Sequence, residues 1–398
     1  MKRTYIAAAL ALAALSPVVA APAWAATTSG ASASTASAPT SLPPVNDEAL
    51  KRSIAGLPAA DATAADVRVG GSAGTWRGVS GVTGLRTQRP AKEGARFRVG
   101  SVTKVFTTAV VLQSVAEGKV KLDGTVQEYL PGLLPEEYPD ITVGQLLNHT
   151  SGLPAPKLDG SFEEVYANRY KRITPAEYVK LAVQNPIEFT PGTAQHYLNI
   201  NTFVAGLLIE KVTGTTYEKA VAERILRPQR LRDTYLPGES VKIKGRHNLA
   251  YQVVPKGFPD SFAHGGRYLV DITNRNVTTS WASGDLISTT ADLETFIKAL
   301  FSGRIVPKAY MEPLFTVPKV KQFGGDKDAA YTSGLTELVL PGGIVAYGKS
   351  GAQYGSAAGI GATRDLRRTL TYVVNSTDAK AEGQNQRTLG VIMATFGK

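Results

Sequence analysis

The sequence predicts an α+β fold of the α/β sandwich type, with an antiparallel sheet flanked by helices from both chain ends. A mostly helical lobe faces that sheet across a cleft. Three observations predict this. Two β-rich runs near residue 70 find their counterparts in four more between residues 335 and 375. Capped, helix-periodic segments lie between these two β-rich ends. At the junction, a strand, a turn and a buried helix place Ser101 and Lys104 one helical turn apart.

The chain opens with the composition of a secretory leader. Lys2 and Arg3 are a basic start, Ile6 to Val19 an apolar stretch, and Ala23-Trp24-Ala25 a small-x-small cleavage site. The apolar stretch is too short and too rich in alanine to read as a membrane span. Residues 1–25 are therefore expected to be removed and the protein secreted (extracellular, or periplasmic where the source has an outer membrane). Residues 26–44, ATTSGASASTASAPTSLPP, cannot bury a core and read as a disordered spacer. This leaves 45–398 as one folded unit.

No cysteine occurs, which excludes a disulfide framework, a thiolate metal site and a lipid-anchored N-terminal cysteine. The roughly 350 remaining residues are long enough for an ordinary core. Without Lys2 and Arg3 the chain carries 42 basic against 33 acidic residues, a net charge of +9. Such a balance favours anionic cell-wall polymers or surfaces. The charges are scattered, with no aromatic-interleaved stripe, so nucleic-acid binding is not expected. A monomer is expected.

Within the folded unit, Asn46 caps a first helix carrying Leu50, Ile54 and Leu57 on one face, which Gly56 and Pro58 end. Asp66–Val69 and Thr75–Val79 read as strands around a glycine-rich turn. Phe97-Arg98-Val99 is a short strand and Gly100 a hinge. Val105, Phe106, Ala109, Val110, Leu112 and Val115 then mark a buried helix whose first turn carries Ser101. Residues from about 123 to 173 read as loop-rich. Thr174-Pro175-Ala176-Glu177 is a capping box that opens a helix to about Val183. Thr202–Val212 and Thr216–Leu226 read as helices, the second capped by Thr215 with Glu218, and Thr290 caps Ala291–Phe301. Leu335–Leu340, Ile344–Lys349, Ala357–Thr363 and Thr369–Asn375 form a meander, and a helix from about Glu382 to Phe396 closes the chain.

Ser101-Val102-Thr103-Lys104 is the one S-x-x-K in the chain. Residues i and i+3 share a helix face, which brings the amine to the hydroxyl. A serine hydroxyl attacks only when a base takes its proton, and a helix start turns backbone N–H groups toward developing negative charge. An isolated match is more often a capping serine followed by a solvated lysine. Here the lysine opens an apolar helix, where a solvated role does not fit. Two later triplets could complete an acyl-transfer site. Tyr197-Leu198-Asn199 sits between a turn and a helix start, unlike the second Y-x-N at Tyr166, which lies in a polar stretch. Lys349-Ser350-Gly351 ends an expected edge strand.

These triplets, with Leu146-Leu147-Asn148-His149-Thr150-Ser151-Gly152-Leu153-Pro154 and Ser280-Trp281-Ala282-Ser283-Gly284, resemble the serine β-lactamase and penicillin-recognising D,D-peptidase superfamily. The branch most similar is that of class C β-lactamases and secreted D-alanyl-D-alanine carboxypeptidases. The resemblance covers about 45–398 and implies that family's fold. It implies Ser101 as the acylated nucleophile, and Lys104 with Tyr197 as proton carriers whose division of labour it leaves open. It further implies Asn199 on the substrate amide, Lys349 as a charge that lowers neighbouring pKa values, and Ser350 on the substrate carboxylate. The backbone N–H groups of Ser101 and Ala352, beside Gly351, would form an oxyanion hole, and Trp281 would line the cleft. The expected substrate is a small peptide, β-lactam or ester, with no cofactor and no metal.

Two departures stand out. The third triplet has serine where most relatives have threonine, which keeps the hydroxyl. The strand Ser333-Gly334-Leu335-Thr336-Glu337-Leu338 lacks the arginine with which the carboxypeptidase grips a terminal carboxylate, and Thr336 falls at about that place.

Two other readings compete with this one. Gly70-Gly71-Ser72-Ala73-Gly74 matches a nucleophile elbow, but a strand follows it where an elbow needs a helix, so it reads as a hairpin turn. The four histidines, His149, His196, His247 and His264, do not pair at zinc-ligand spacing. A penicillin-binding sensor or wall-binding protein without turnover is the non-enzymatic alternative, although every expected catalytic residue type is present. From the leader we expect secreted protein to begin at Ala26. Intact-mass measurement of culture supernatant checks this, and a mature chain that retains Met1 would refute it.

Overall fold

The computed structural model describes residues 42–158, 160–381 and 385–397. The expected leader and residues 26–41 of the expected spacer lie outside them. The six strands of the main sheet are β1 (Ala62–Gly70), β2 (Trp76–Gly81), β3 (Thr336–Leu340), β4 (Ile344–Gln353), β5 (Ser356–Ala362) and β6 (Thr369–Ser376). They lie antiparallel in the order β3-β4-β5-β6-β1-β2, so the two ends of the chain meet where β6 pairs with β1. The Gly70–Gly74 match is the hairpin turn between β1 and β2, as expected.

Both faces of the central strands are covered, and side-chain alternation sorts them. In β6, Leu370, Tyr372 and Val374 join Leu50 of α1 (Asp47–Ser53) and Val391 and Phe396 of a C-terminal helix (Gln386–Phe396) in one core. Between them, Thr371 and Val373 face the helical lobe; Thr371 Oγ1 donates to Thr290 O at 2.9 Å. The sequence places the start of the last helix at about Glu382, and residues 382–384 lie outside those described.

The helical lobe is built on α2 (Thr103–Ala116). This helix is buried on nearly every side, which suits its lack of a polar stripe. Packed around it are α3 (Asn199–Thr213) and α4 (Thr290–Phe301), the latter with Phe296 stacked on Phe106 at 3.6 Å between ring centroids. The C-terminal helix Gln386–Phe396 is α5.

Several sequence expectations need correction. Residues 123–173 contain three short helices, Val126–Tyr129, Val143–Leu147 and Phe162–Ala167. Each starts at a capping box (Thr125 with Glu128, Thr142 with Gln145, Ser161 with Glu164), a signal that was legible in the sequence. The helix after Thr213 is capped by Thr216, not Thr215, and α4 by Thr289, not Thr290. Thr290 instead donates to Asp66 Oδ1. A small sheet of Tyr251–Val254, Phe262–His264 and Arg267–Asp271 had no counterpart in the reading.

Leu42 to Pro44, at the end of the expected spacer, are held on the domain. Leu42 packs on the core beneath α1, and the buried Arg368 guanidinium donates to Pro43 O and Thr395 O, both at 2.6 Å, and to Ala73 O at 3.2 Å. Arg368 thus ties both chain ends to the β1–β2 hairpin. Removing it leaves three carbonyls short of a donor. We expect Arg368→Ala to cost about 2–4 kcal/mol in urea unfolding, whereas a cost under about 0.5 kcal/mol would show that the ends are held by other contacts.

Candidate active site

A two-residue strand, Phe97–Arg98, pairs with Ile287–Ser288 and delivers the chain to Gly100, whose φ of +55° turns it sharply. A single 3-10 turn, Gly100–Val102, then feeds α2. Ser101 is thereby half-exposed at the head of a buried helix, with Lys104 one turn deeper and fully buried.

Lys104 Nζ lies 2.8 Å from Asn199 Oδ1, 2.9 Å from Ser283 O and 3.2 Å from Ser101 Oγ. The first two partners are oxygens that only accept. Burial holds the amine well below the ordinary lysine range, reinforced by the charges of Lys349 and then Lys380. A neutral amine has two N–H bonds and one lone pair. Asn199 and Ser283 take the two N–H bonds, so the lone pair is left for the Ser101 hydroxyl.

Tyr197 fills the other side. Its hydroxyl is buried with no hydrogen-bond partner among the described residues. Burial pushes its pKa up, the neighbouring Tyr331 pushes it further, and Ser101 offsets part of the rise. Its ring stacks on Tyr331 and packs against His149, each at 4.6 Å between centroids. Lys349 Nζ stands 4.7 Å and Lys104 Nζ 5.0 Å from the same ring centre. In the free protein, therefore, Lys104 is the available base and Tyr197 a neutral phenol flanked by two amines.

The Lys349-Ser350-Gly351 triplet does not end its strand. It lies inside the ten-residue β4, but β3 pairs only as far as Gly348, where Thr336 sits opposite. The second half of β4 is thus free of a β3 partner and faces the nucleophile turn. Two glycines allow that approach. A methyl on Gly351 would lie 2.1 Å from Val99 O and 2.7 Å from Ser101 N, and one on Gly100 would lie 2.7 Å from Ala352 N. The backbone N–H groups of Ser101 and Ala352 are brought together by this contact. Burial lowers Lys349 to about 7. The Ser350 hydroxyl is buried and unpartnered among the described residues, a donor still waiting for an acceptor.

Of the residues read from sequence, the fold gathers Ser101, Lys104, Tyr197, Asn199, Lys349, Ser350, Gly351 and Ala352. Trp281 is the correction. Its ring packs between Phe203 and Tyr217, and its Nε1 donates to Glu218 at 2.9 Å, so it belongs to the helical core and not to the cleft. What its segment supplies is backbone: Ser283 O to Lys104 and Ala282 O to Thr107. Tyr331 was missed, since a lone tyrosine in an irregular stretch carries no sequence signal. His149 is buried against Tyr197, and His196 contacts Glu188. A cavity of about 720 Å³ lies elsewhere, lined among others by Glu218, Arg227 and Tyr235. Because none of the gathered residues reaches it, the site is located by chemistry and not by volume.

The family model described as Beta-lactamase matches residues 45–392. The chain belongs to the beta-lactamase family. Its fold is the serine beta-lactamase fold. A D-stereospecific amidohydrolase from Streptomyces sp. superposes with a TM-score of 0.74 at 31% identity, covering 88% of this chain and 98% of its own. D-amino acid amidase from Ochrobactrum anthropi SV3 shares the fold at TM-score 0.70 and 22% identity, over 88% and 96%. Esterase EstB of Burkholderia gladioli is 30% identical over 40% of this chain and 43% of its own. Penicillin-binding protein 4* of Bacillus subtilis (strain 168) is 25% identical over 75% and 64%. The chain thus spans less than two thirds of either curated relative.

These pKa shifts predict a divided pH profile. With a neutral ester, acylation should reach its plateau at a pH well below the ordinary lysine range and fall in acid as Lys104 gains its proton. With a carboxylate-bearing substrate, KM should also rise above about 7, where Lys349 loses its charge. Steady-state rates across pH test both. A neutral-ester rate still climbing at about pH 10 would mean an unshifted Lys104.

Proposed function

We propose that the protein is a secreted serine hydrolase that works through a Ser101 acyl-enzyme on D-amino-acid peptides of the peptidoglycan type. D-alanyl-D-alanine carboxypeptidase and related D-amino-acid peptidase activity come first. The observation that carries the reading is the placement of Lys104, both of whose amine hydrogens are taken by fixed acceptors while its third contact is Ser101 Oγ.

The steps follow from the geometry. Lys104 takes the Ser101 proton as Oγ bonds to the substrate carbonyl carbon, and the carbonyl oxygen gains negative charge between the N–H groups of Ser101 and Ala352. Each such donor is worth roughly 10²–10³ in rate. As the tetrahedral centre collapses, the proton passes by way of the Tyr197 hydroxyl to the leaving amine or alkoxide, and the C–N or C–O bond breaks. Water then adds to the acyl carbon, losing its proton to the same Lys104–Tyr197 pair, and Ser101 leaves with its hydroxyl restored. Asn199 holds both the Lys104 amine and the substrate amide, while Ser350 offers its hydroxyl to the leaving-group carboxylate under the field of Lys349.

The preference for D-amino-acid substrates draws support from the likeness to a D-stereospecific amidohydrolase at 31% identity. β3 carries no arginine, and Thr336 is buried opposite Gly348. Strict dependence on a free D-alanine terminus is therefore not part of the proposal. Class C-like β-lactamase or esterase activity is the second reading, favoured by the half-exposed Ser101 and the similarity to an esterase over part of the chain. A non-turnover penicillin sensor or wall-binding protein would use the same Ser101 and differ in failing to deacylate.

Incubation with a fluorescent penicillin and with a reactive ester, followed by intact-mass measurement, tests the acyl-enzyme. We expect one acyl adduct per chain in the wild type, none in Ser101→Ala, and a loss of about 10²–10⁴ in acylation rate for Lys104→Met. No adduct from either probe, or one that survives Ser101→Ala, overturns the reading. Turnover of a D-Ala-D-Ala peptide, a chromogenic cephalosporin and a nitrophenyl ester, measured side by side, then ranks the substrates.

A further inference from the structure

A substrate acylated on Ser101 runs along β4 in one direction. Ser350 marks the leaving-group end and Ala352 the reacting carbonyl, so Gln353 and Tyr354 flank the acyl chain of any substrate laid along the strand. Tyr354 stands in the turn between β4 and β5. Its ring meets Phe162 edge-on at 4.9 Å, and Phe162 packs in turn on Phe258 at 5.6 Å, making an apolar wall.

Two cations border that ring. Arg275 Cζ lies 5.6 Å from its centre; this guanidinium is buried, donates to Gln353 Oε1 at 2.7 Å and leaves Nη1 unpartnered among the described residues. Lys380 Nζ lies 4.6 Å from the same centre, is exposed, and makes no ion pair among the described residues. Nearby acids do not cancel this charge at contact range. Asp378 Oδ1 accepts from Gln252 Nε2 at 3.0 Å, and Glu163 affects Tyr354 only through its charge. With Lys349 further in, basic side chains line the cleft from its centre to its acyl-side mouth.

We propose that Lys380 and Tyr354 form an acyl-side subsite for an anionic group, so that preferred substrates carry a carboxylate on the acyl chain beyond the reacting carbonyl. The subsite rests on the Ser101 acyl-enzyme reading, which sets the direction of the substrate. Ala352 to Tyr354 spans about 7 Å of extended chain, the reach of one D-residue carrying a succinyl group. Tyr354 supports the methylene part of such a group and Lys380 meets its carboxylate. A free ammonium at that position meets a like charge.

Benzyl esters of N-succinyl-D-alanine, N-acetyl-D-alanine and D-alanine share one leaving group and differ only on the acyl side. We expect the wild type to favour the succinyl over the acetyl ester by about fivefold in kcat/KM, through KM, and the free amine to be poorest. The preference should shrink as salt is raised. Lys380→Gln should erase the succinyl-to-acetyl ratio, Lys380→Glu invert it in favour of the free amine, and Lys380→Arg keep it. Equal turnover of succinyl and acetyl esters by the wild type, or an unchanged ratio in Lys380→Gln, overturns the subsite alone. Absence of Ser101 acylation by all three esters overturns the underlying reading and the subsite with it.

Discussion

The site depends on one fully buried amine. Lys104 reaches three parts of the molecule at once: Ser101 on its own helix, Asn199 at the start of α3, and the Ser283 carbonyl in the segment before α4. Burying an ammonium there would cost several kcal/mol. The structure avoids that cost by favouring the neutral amine and giving each of its N–H bonds an acceptor. The same desolvation that would make a charged lysine expensive leaves a lone pair beside a serine hydroxyl. Stability and reactivity therefore have one cause.

The rest of the fold keeps that arrangement rigid. α2 is buried on almost all sides, so its first turn cannot shift without disturbing the helical core around Phe106 and Phe296. The main sheet supplies the opposite wall through β4, and Gly100 and Gly351 let the two backbones touch where side chains would collide. Tyr197 is fixed by stacking on Tyr331 and by His149, while Gln195 ties the flanking segments together by donating to Asn148 O and Tyr331 O, both at 2.8 Å. The inner face of the sheet, Ile360 and Val373 among it, packs into the helical core, and a second core lies on the outer face beneath α1 and α5.

Much of this was legible. The six strands and the five main helices follow from alternation, helical period and caps, because burial on one face leaves a period in the sequence. The reading failed where the signal is short or shared. Thr215 and Thr216, and likewise Thr289 and Thr290, are adjacent residues equally able to cap, and only the chain path decides which one does. The three capping boxes between 125 and 164 open helices only four to six residues long, too short to leave a helical period.

By itself the sequence determined the reacting pair and its helix, since Ser101 and Lys104 are local neighbours and the 3.6-residue period alone brings them to one face. It determined the triplets and their order, and with them the family. Tertiary structure alone decided which atoms spend the hydrogens of Lys104, because Asn199 and Ser283 are distant in the chain and a carbonyl has no side-chain signature. It turned Trp281 inward, since an indole is satisfied equally by a cleft or by a core with a carboxylate at its N–H. It placed Tyr331 against Tyr197, and Lys380 beside Tyr354, for the same reason. Contacts between residues far apart in sequence are set by how the lobes pack, and no local pattern records that.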